Sequence, residues 1–145
     1  MTRNQKDHTF DLATILKDAG LVGADNPAQV SGANQILDLG QARTDGTVVI
    51  DATAVEVASG DEVYRINMQY SASATFASGV VQGSGIMLGD QAVILGVDTD
   101  AGAGHYEFGT TNEINGTTYR YARLYTEVVG TVATGVNYIA HLATQ

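Results

Sequence analysis

From residue 35 onward, apolar and polar residues alternate with a period of two, the period of a half-buried strand. Residues 62–70 (EVYRINMQY) show it most clearly: Tyr64, Ile66, Met68 and Tyr70 fall on one side, Arg65, Asn67 and Gln69 on the other. Such a strand turns one face to a core and the other to water or a partner. Further strands are predicted over 35–39 (QILDL), 47–57, 80–88, 91–97, 105–108, 117–129 and 131–142, with glycine-rich turns between them. Gly83 and Gly85 interrupt the strand over 80–88 and predict a bulge. Asn115-Gly116 is a hairpin signal, and residues 98–104 (DTDAGAG) are a loop.

The earlier part of the chain reads differently. Leu12, Ile15 and Leu16 are spaced by three and four, with Asp11 near one end and Gly20 at the other. That spacing predicts a short helix over 10–20, although the same residues suit an extended arm. A loop follows around Asn26-Pro27. The expected organisation is an N-terminal arm or short helix over 1–30 and a β-sandwich over 31–145. About eight strands at spacings of roughly 8–12 residues suggest an antiparallel sandwich of jelly-roll type.

Composition narrows the function. The chain has 145 residues, enough for one domain with a core of its own. It lacks Cys, which removes disulfides and thiolate chemistry. A net charge of −9, with no Lys or Arg between Arg65 and Arg120, argues against a nucleic-acid partner. No apolar run approaches the roughly 18 residues of a membrane helix, and no secretion signal is expected.

Candidate chemistry is sparse. His8, His105 and His141 show no zinc-binding spacing. Asp98, Asp100 and Glu107 begin like a calcium loop, but Ala103 and Gly109 stand where such a loop needs Gly and Glu. Gly83-Ser84-Gly85 lacks the flanking pattern of a nucleotide site or a nucleophile elbow. We therefore expect neither an enzyme nor a cofactor. The aromatic residues carry more information. Tyr119, Tyr121, Arg123 and Tyr125 share one face of a strand, with Arg120, Ala122 and Leu124 on the other. The Tyr face reads either as a core stripe with hydroxyls at its rim or as a contact surface, since Tyr and Arg are enriched at interfaces. Arg65 is comparable, and a clamping arm would add Phe10, Leu12, Ile15 and Leu16.

Three segments carry a resemblance. Residues 31–39 (SGANQILDL), 64–76 (YRINMQYSASATF) and above all 119–130 (YRYARLYTEVVG) resemble the capsid cement, or decoration, proteins of tailed bacteriophages of the Bordetella-phage type. The resemblance spans roughly residues 31–143. It implies a jelly roll on the outside of an icosahedral head, as a homodimer or homotrimer bridging major capsid subunits. It implies no enzyme, cofactor, nucleic acid or membrane. Residues 1–30 and 98–111 depart from the family pattern, so no contact residue is transferred. On this view 1–30 touches neighbouring capsid subunits. The alternative is a carbohydrate-binding or tail-associated β-sandwich, against which the absence of Trp counts.

Overall fold

The computed structural model describes residues 14–90 and 100–144. Every regular element among them is a strand. In chain order these are β1 (Ile15–Lys17), β2 (Leu21–Val22), β3 (Asn26–Pro27), β4 (Gln29–Val30), β5 (Ala33–Asn34), β6 (Leu37–Asp38), β7 (Asp45–Val55) and β8 (Val63–Ser71). Then come β9 (Val81–Asp90), β10 (Asp100–Ala101), β11 (Gly104–Thr111), β12 (Glu113–Ile114), β13 (Thr117–Thr118), β14 (Tyr121–Val129) and β15 (Val136–Thr144).

Sheet I has the spatial order β1-β15-β7-β11, with β2 also on β15; sheet II has β10-β9-β8-β14-β3, with β6 also on β14. All pairings are antiparallel. Grouping β2 with β1, β6 with β3 and β10 with β9 leaves eight positions in the sandwich. Sheet I then reads first, eighth, third, sixth, and sheet II fifth, fourth, seventh, second. Only the step from β8 to β9 stays within one sheet. This double Greek key is the jelly roll that the strand rhythm suggested.

Alternation fills the space between the sheets. Val48, Ile50, Tyr138, Ala140 and Leu142 point inward from sheet I, and Tyr64, Ile66, Met68, Leu88, Ala122 and Leu124 from sheet II, in one core cluster. Burying tyrosine requires a partner for its hydroxyl. Two of the three fully buried tyrosines find that partner on the facing sheet. Tyr138 of β15 shares a hydrogen bond with Thr126 of β14, and Tyr70 of β8 shares a short one with Thr110 of β11. At the open edge, Ser84 of β9 donates to the Gly109 carbonyl of β11. The core is thus apolar by volume, and hydrogen bonds fasten its layers to each other.

The bulge foreseen at Gly83 and Gly85 is present. Asn67 pairs with Gly85 and Gln69 with Gln82, so β9 carries one residue more than β8 between these pairs. A Cβ on Gly85 would sit 1.8 Å from Asn67 Oδ1 and 2.4 Å from the Ile66 carbonyl oxygen. Hence the Asn67 amide lies over the glycine on the outer face.

Several expectations need correction. The helix over 10–20 does not form in its described part: Ile15–Lys17 is a strand on β15, and the Leu142 N–H donates to the Thr14 carbonyl. A helix of two or three turns is marginal alone, whereas the β15 edge offers ready hydrogen-bond partners. Residues 15–30 are not a separate arm, because β1 and β2 extend sheet I and β3 extends sheet II. The strand expected over 117–129 breaks at Tyr119 and Arg120. Wholly buried Asn112 causes the break: its Nδ2 donates to the carbonyls of Ala42 and Tyr119, and its Oδ1 accepts from the Thr44 N–H. The last strand starts at Val136, five residues later than expected, because residues 133–135 turn around the Glu56 carboxylate, whose Oε1 accepts three of their N–H groups. The strand expected over 91–97 lies outside the described residues.

Candidate interaction surface

The centre of sheet II decides the two readings of the tyrosine row. On β14, Ala122, Leu124 and Thr126 are wholly buried, so Tyr121, Arg123, Tyr125 and Glu127 occupy the outer face. The core stripe is the opposite face. Cross-strand pairing sets three rows on this outer surface: Glu127–Arg65–Met87, Tyr125–Asn67–Gly85 and Arg123–Gln69–Gln82. Pro27 of β3 lies across from Tyr125.

Arg123 is the best-positioned group on it. Its Nε donates to Gln69 Oε1 at 2.8 Å. Its guanidinium carbon lies 4.4 Å from the centre of the Phe76 ring and 5.4 Å from that of Tyr125. Phe76 comes from the serine-rich segment after β8, which folds back over sheet II. Ser71 Oγ donates to the Ser78 carbonyl, the Phe76 N–H donates to Ser73 O, and Phe76 adopts φ 55°. Partial burial lowers the Arg123 pKa, while the nearby Tyr125 opposes the shift.

The other described cations are already engaged. Arg65 Nη1 lies 2.8 Å from Glu127. Arg120 grips Asp38 with two hydrogen bonds of 2.9 Å, chiefly through which the Asp38 pKa falls to about 2. Arg43 meets Asp45 and Glu113. Lys17 is buried, and its Nζ donates to the carbonyls of Asp18, Gly20 and Tyr138. Among the described residues, Arg123 is therefore the one arginine that reaches solvent without a carboxylate partner.

The remaining interface candidates divide. Arg65, Tyr121 and Arg123 do share the outer face of sheet II. Tyr119 instead packs against the core from between β13 and β14. Leu16 is wholly buried and belongs to the core, which corrects its assignment to an interface; Ile15 is half-buried beside it. Phe10 and Leu12 lie outside the described residues.

Two further clusters are self-contained. On the outer face of sheet I, His105 Nδ1 lies 2.8 Å from Asp51 and Nε2 2.8 Å from Glu107, which raises its pKa. Glu107, one arm of the considered calcium loop, is thereby engaged; Asp98 lies outside the described residues. An open groove of about 590 Å³ between β9 and β11 is lined by Arg43, Asp45, Ser84 and Ile114 among others, and its two charges face each other. No protein-family model matches the chain, and neither does any curated protein.

Sequence reasoning missed Phe76 and Gln69, the two residues that hold Arg123. Gln69 was placed on the polar face, yet it is only 5% exposed, with Arg123 hydrogen-bonded to its Oε1. A left-handed backbone at a phenylalanine has no local signal.

Proposed function

We propose that the protein is a structural binding module of a phage head, a decoration protein that docks on the outside of the capsid and bridges major capsid subunits. The observation that carries the reading is the outer face of sheet II, where Tyr121, Arg123 and Tyr125 stand clear of the core on a central strand. Interfaces concentrate energy in such Tyr and Arg anchors. A tightly cross-linked jelly roll suits a part that must add stiffness to a shell. Weak single contacts suffice there, because a lattice-bound oligomer multiplies them about 10²–10⁴-fold. The resemblance in residues 119–130 points the same way.

Co-sedimentation with DNA-free heads of the parent phage tests this. Wild-type protein is expected to pellet with heads and saturate at a fixed ratio to capsid subunits, while Tyr121→Ala and Tyr125→Ala weaken that binding. Heads that bind no protein under any salt condition would end the proposal. One observation favours a carbohydrate-binding module as the second reading: Tyr125 is paired across strands with Asn67, whose amide lies over Gly85 on the outer face, an aromatic ring beside an amide that could serve a sugar. Binding on a glycan array, lost in Tyr125→Ala, would shift the assignment to it.

A further inference from the structure

We infer that Arg123 is a preformed receptor for a single carboxylate, an acidic side chain on an exposed segment of the partner protein. The inference rests on the binding-module reading and names the chemistry of its contact.

Three features converge on it. The guanidinium plane is fixed before any ligand arrives, since Phe76 and Tyr125 flank it and Gln69 holds its Nε. Holding a long side chain in its bound geometry removes much of the ordering cost of binding. Secondly, its Nη groups carry no hydrogen bond to any described residue. A planar fork of this kind matches the two oxygens of a carboxylate. Thirdly, the charge setting selects the size of the anion. Arg65, Arg120 and Arg43 are each neutralised by an acidic neighbour, so among the described residues no second free cation stands beside Arg123. A phosphate or polyanion would meet one unpaired positive charge on a body of net charge −9. One monovalent carboxylate is the ligand this arrangement balances. The aromatic walls and the half-buried site also lower the local dielectric, which strengthens the pair.

The test uses the full chain labelled with ¹⁵N-arginine. Sodium acetate is titrated against sodium chloride at constant ionic strength, and the Nε–H resonances of Arg43, Arg65, Arg120 and Arg123 are followed. Acetate is expected to shift Arg123 saturably and the other three little. Inorganic phosphate under the same conditions is expected to bind more weakly. Absence of a saturable Arg123 shift, or tighter binding of phosphate, overturns the inference. A second arm compares wild type with Arg123→Lys on the heads of the parent phage, with the thermal transition checked for each. Lysine keeps the charge but loses the fork, so binding should fall about tenfold or more. Equal binding by Arg123→Lys defeats the carboxylate contact and leaves the head-binding proposal standing. Heads that ignore wild type while acetate still shifts Arg123 end the head-binding proposal and leave the carboxylate site.

Discussion

Two glycines, one on each sheet, should respond to alanine with opposite signs. Both Gly85 of β9 and Gly109 of β11 lie outside the positive-φ set, so alanine meets no backbone strain at either. Their surroundings differ. At Gly85 the new methyl would lie 1.8 Å from Asn67 Oδ1, 2.7 Å from Asn67 Cγ and 2.4 Å from the Ile66 carbonyl oxygen. The Asn67 amide is the end of a flexible side chain and can swing aside. The Ile66 carbonyl is backbone in the middle of sheet II, and relieving that contact requires β8 and β9 to part locally. Overpacking of this kind costs about 1–3 kcal/mol. The lower entropy of the unfolded chain returns about 0.4–1 kcal/mol. Gly85→Ala should therefore destabilise by roughly 1–2 kcal/mol. At Gly109 the nearest atom to a new Cβ is the Gly46 carbonyl oxygen at 4.0 Å, so only the entropic gain remains. Gly109→Ala should be neutral or stabilise by up to about 1 kcal/mol. Urea titrations with an unchanged m-value read both effects as shifts in midpoint. A Gly85→Ala variant as stable as wild type, or a Gly109→Ala variant as damaged as Gly85→Ala, would refute the close strand approach described at the bulge.

Other consequences follow from individual residues. Leu124→Ala, at a wholly buried position on central β14, should lose about 3 kcal/mol in the same urea assay. His105 has its folded-state pKa raised, mainly by its hydrogen bonds to Glu107 and Asp51. The stability it contributes is fully present below the unfolded value of about 6.5 and disappears as pH rises through the folded value. Thermal transitions of wild type and His105→Gln should thus differ at pH 5.5 and converge by pH 9. Lys17 behaves with the opposite sense, because burial pushes its pKa down to about 8. The unfolded chain then holds more protons between about pH 8 and 10.5, so stability gains a rising term across that window. NMR should place the Lys17 titration near 8, and Lys17→Met should abolish that term in the slope of stability against pH.

What the sequence discloses depends on whether the deciding partner is local. Tyr64, Ile66, Met68 and Tyr70 were legible as one face because alternation is set within a single strand. The bulge at Gly83 and Gly85 and the turn at Asn115-Gly116 were legible for the same reason, as backbone demands of residues on the spot. Leu12, Ile15 and Leu16 have spacing that suits a helix, and the open edge of β15, more than a hundred residues away, overrides it for the described part. The break at Tyr119 and Arg120 has no Pro or Gly to announce it, since the buried amide of Asn112 imposes it from outside that segment. The tyrosine row was ambiguous because a period of two separates the faces without saying which one is dry. Only the packing of Ala122 and Leu124 against the facing sheet settles that.

Arg123 is the sharpest instance of this limit, and it also explains why such a fold makes an effective platform. The sequence shows four arginines within residues 43–123 and acidic residues throughout, so any of them could have been the free one. Ion pairing removes three: Arg65 to Glu127 across adjacent strands, Arg120 to Asp38 across the β6 edge, and Arg43 to Asp45 and Glu113 beside the β12 ribbon. What remains stands on β14, whose neighbouring core positions are locked by the Tyr138–Thr126 hydrogen bond between the sheets. The row of Tyr121, Arg123 and Tyr125 is consequently mounted on one of the most constrained strands of the molecule. Anchors on a rigid strand bind at lower ordering cost than the same residues on a loop. The cross-sheet hydrogen bonds that let this core bury tyrosine thus also hold the outer face in a geometry ready for a partner.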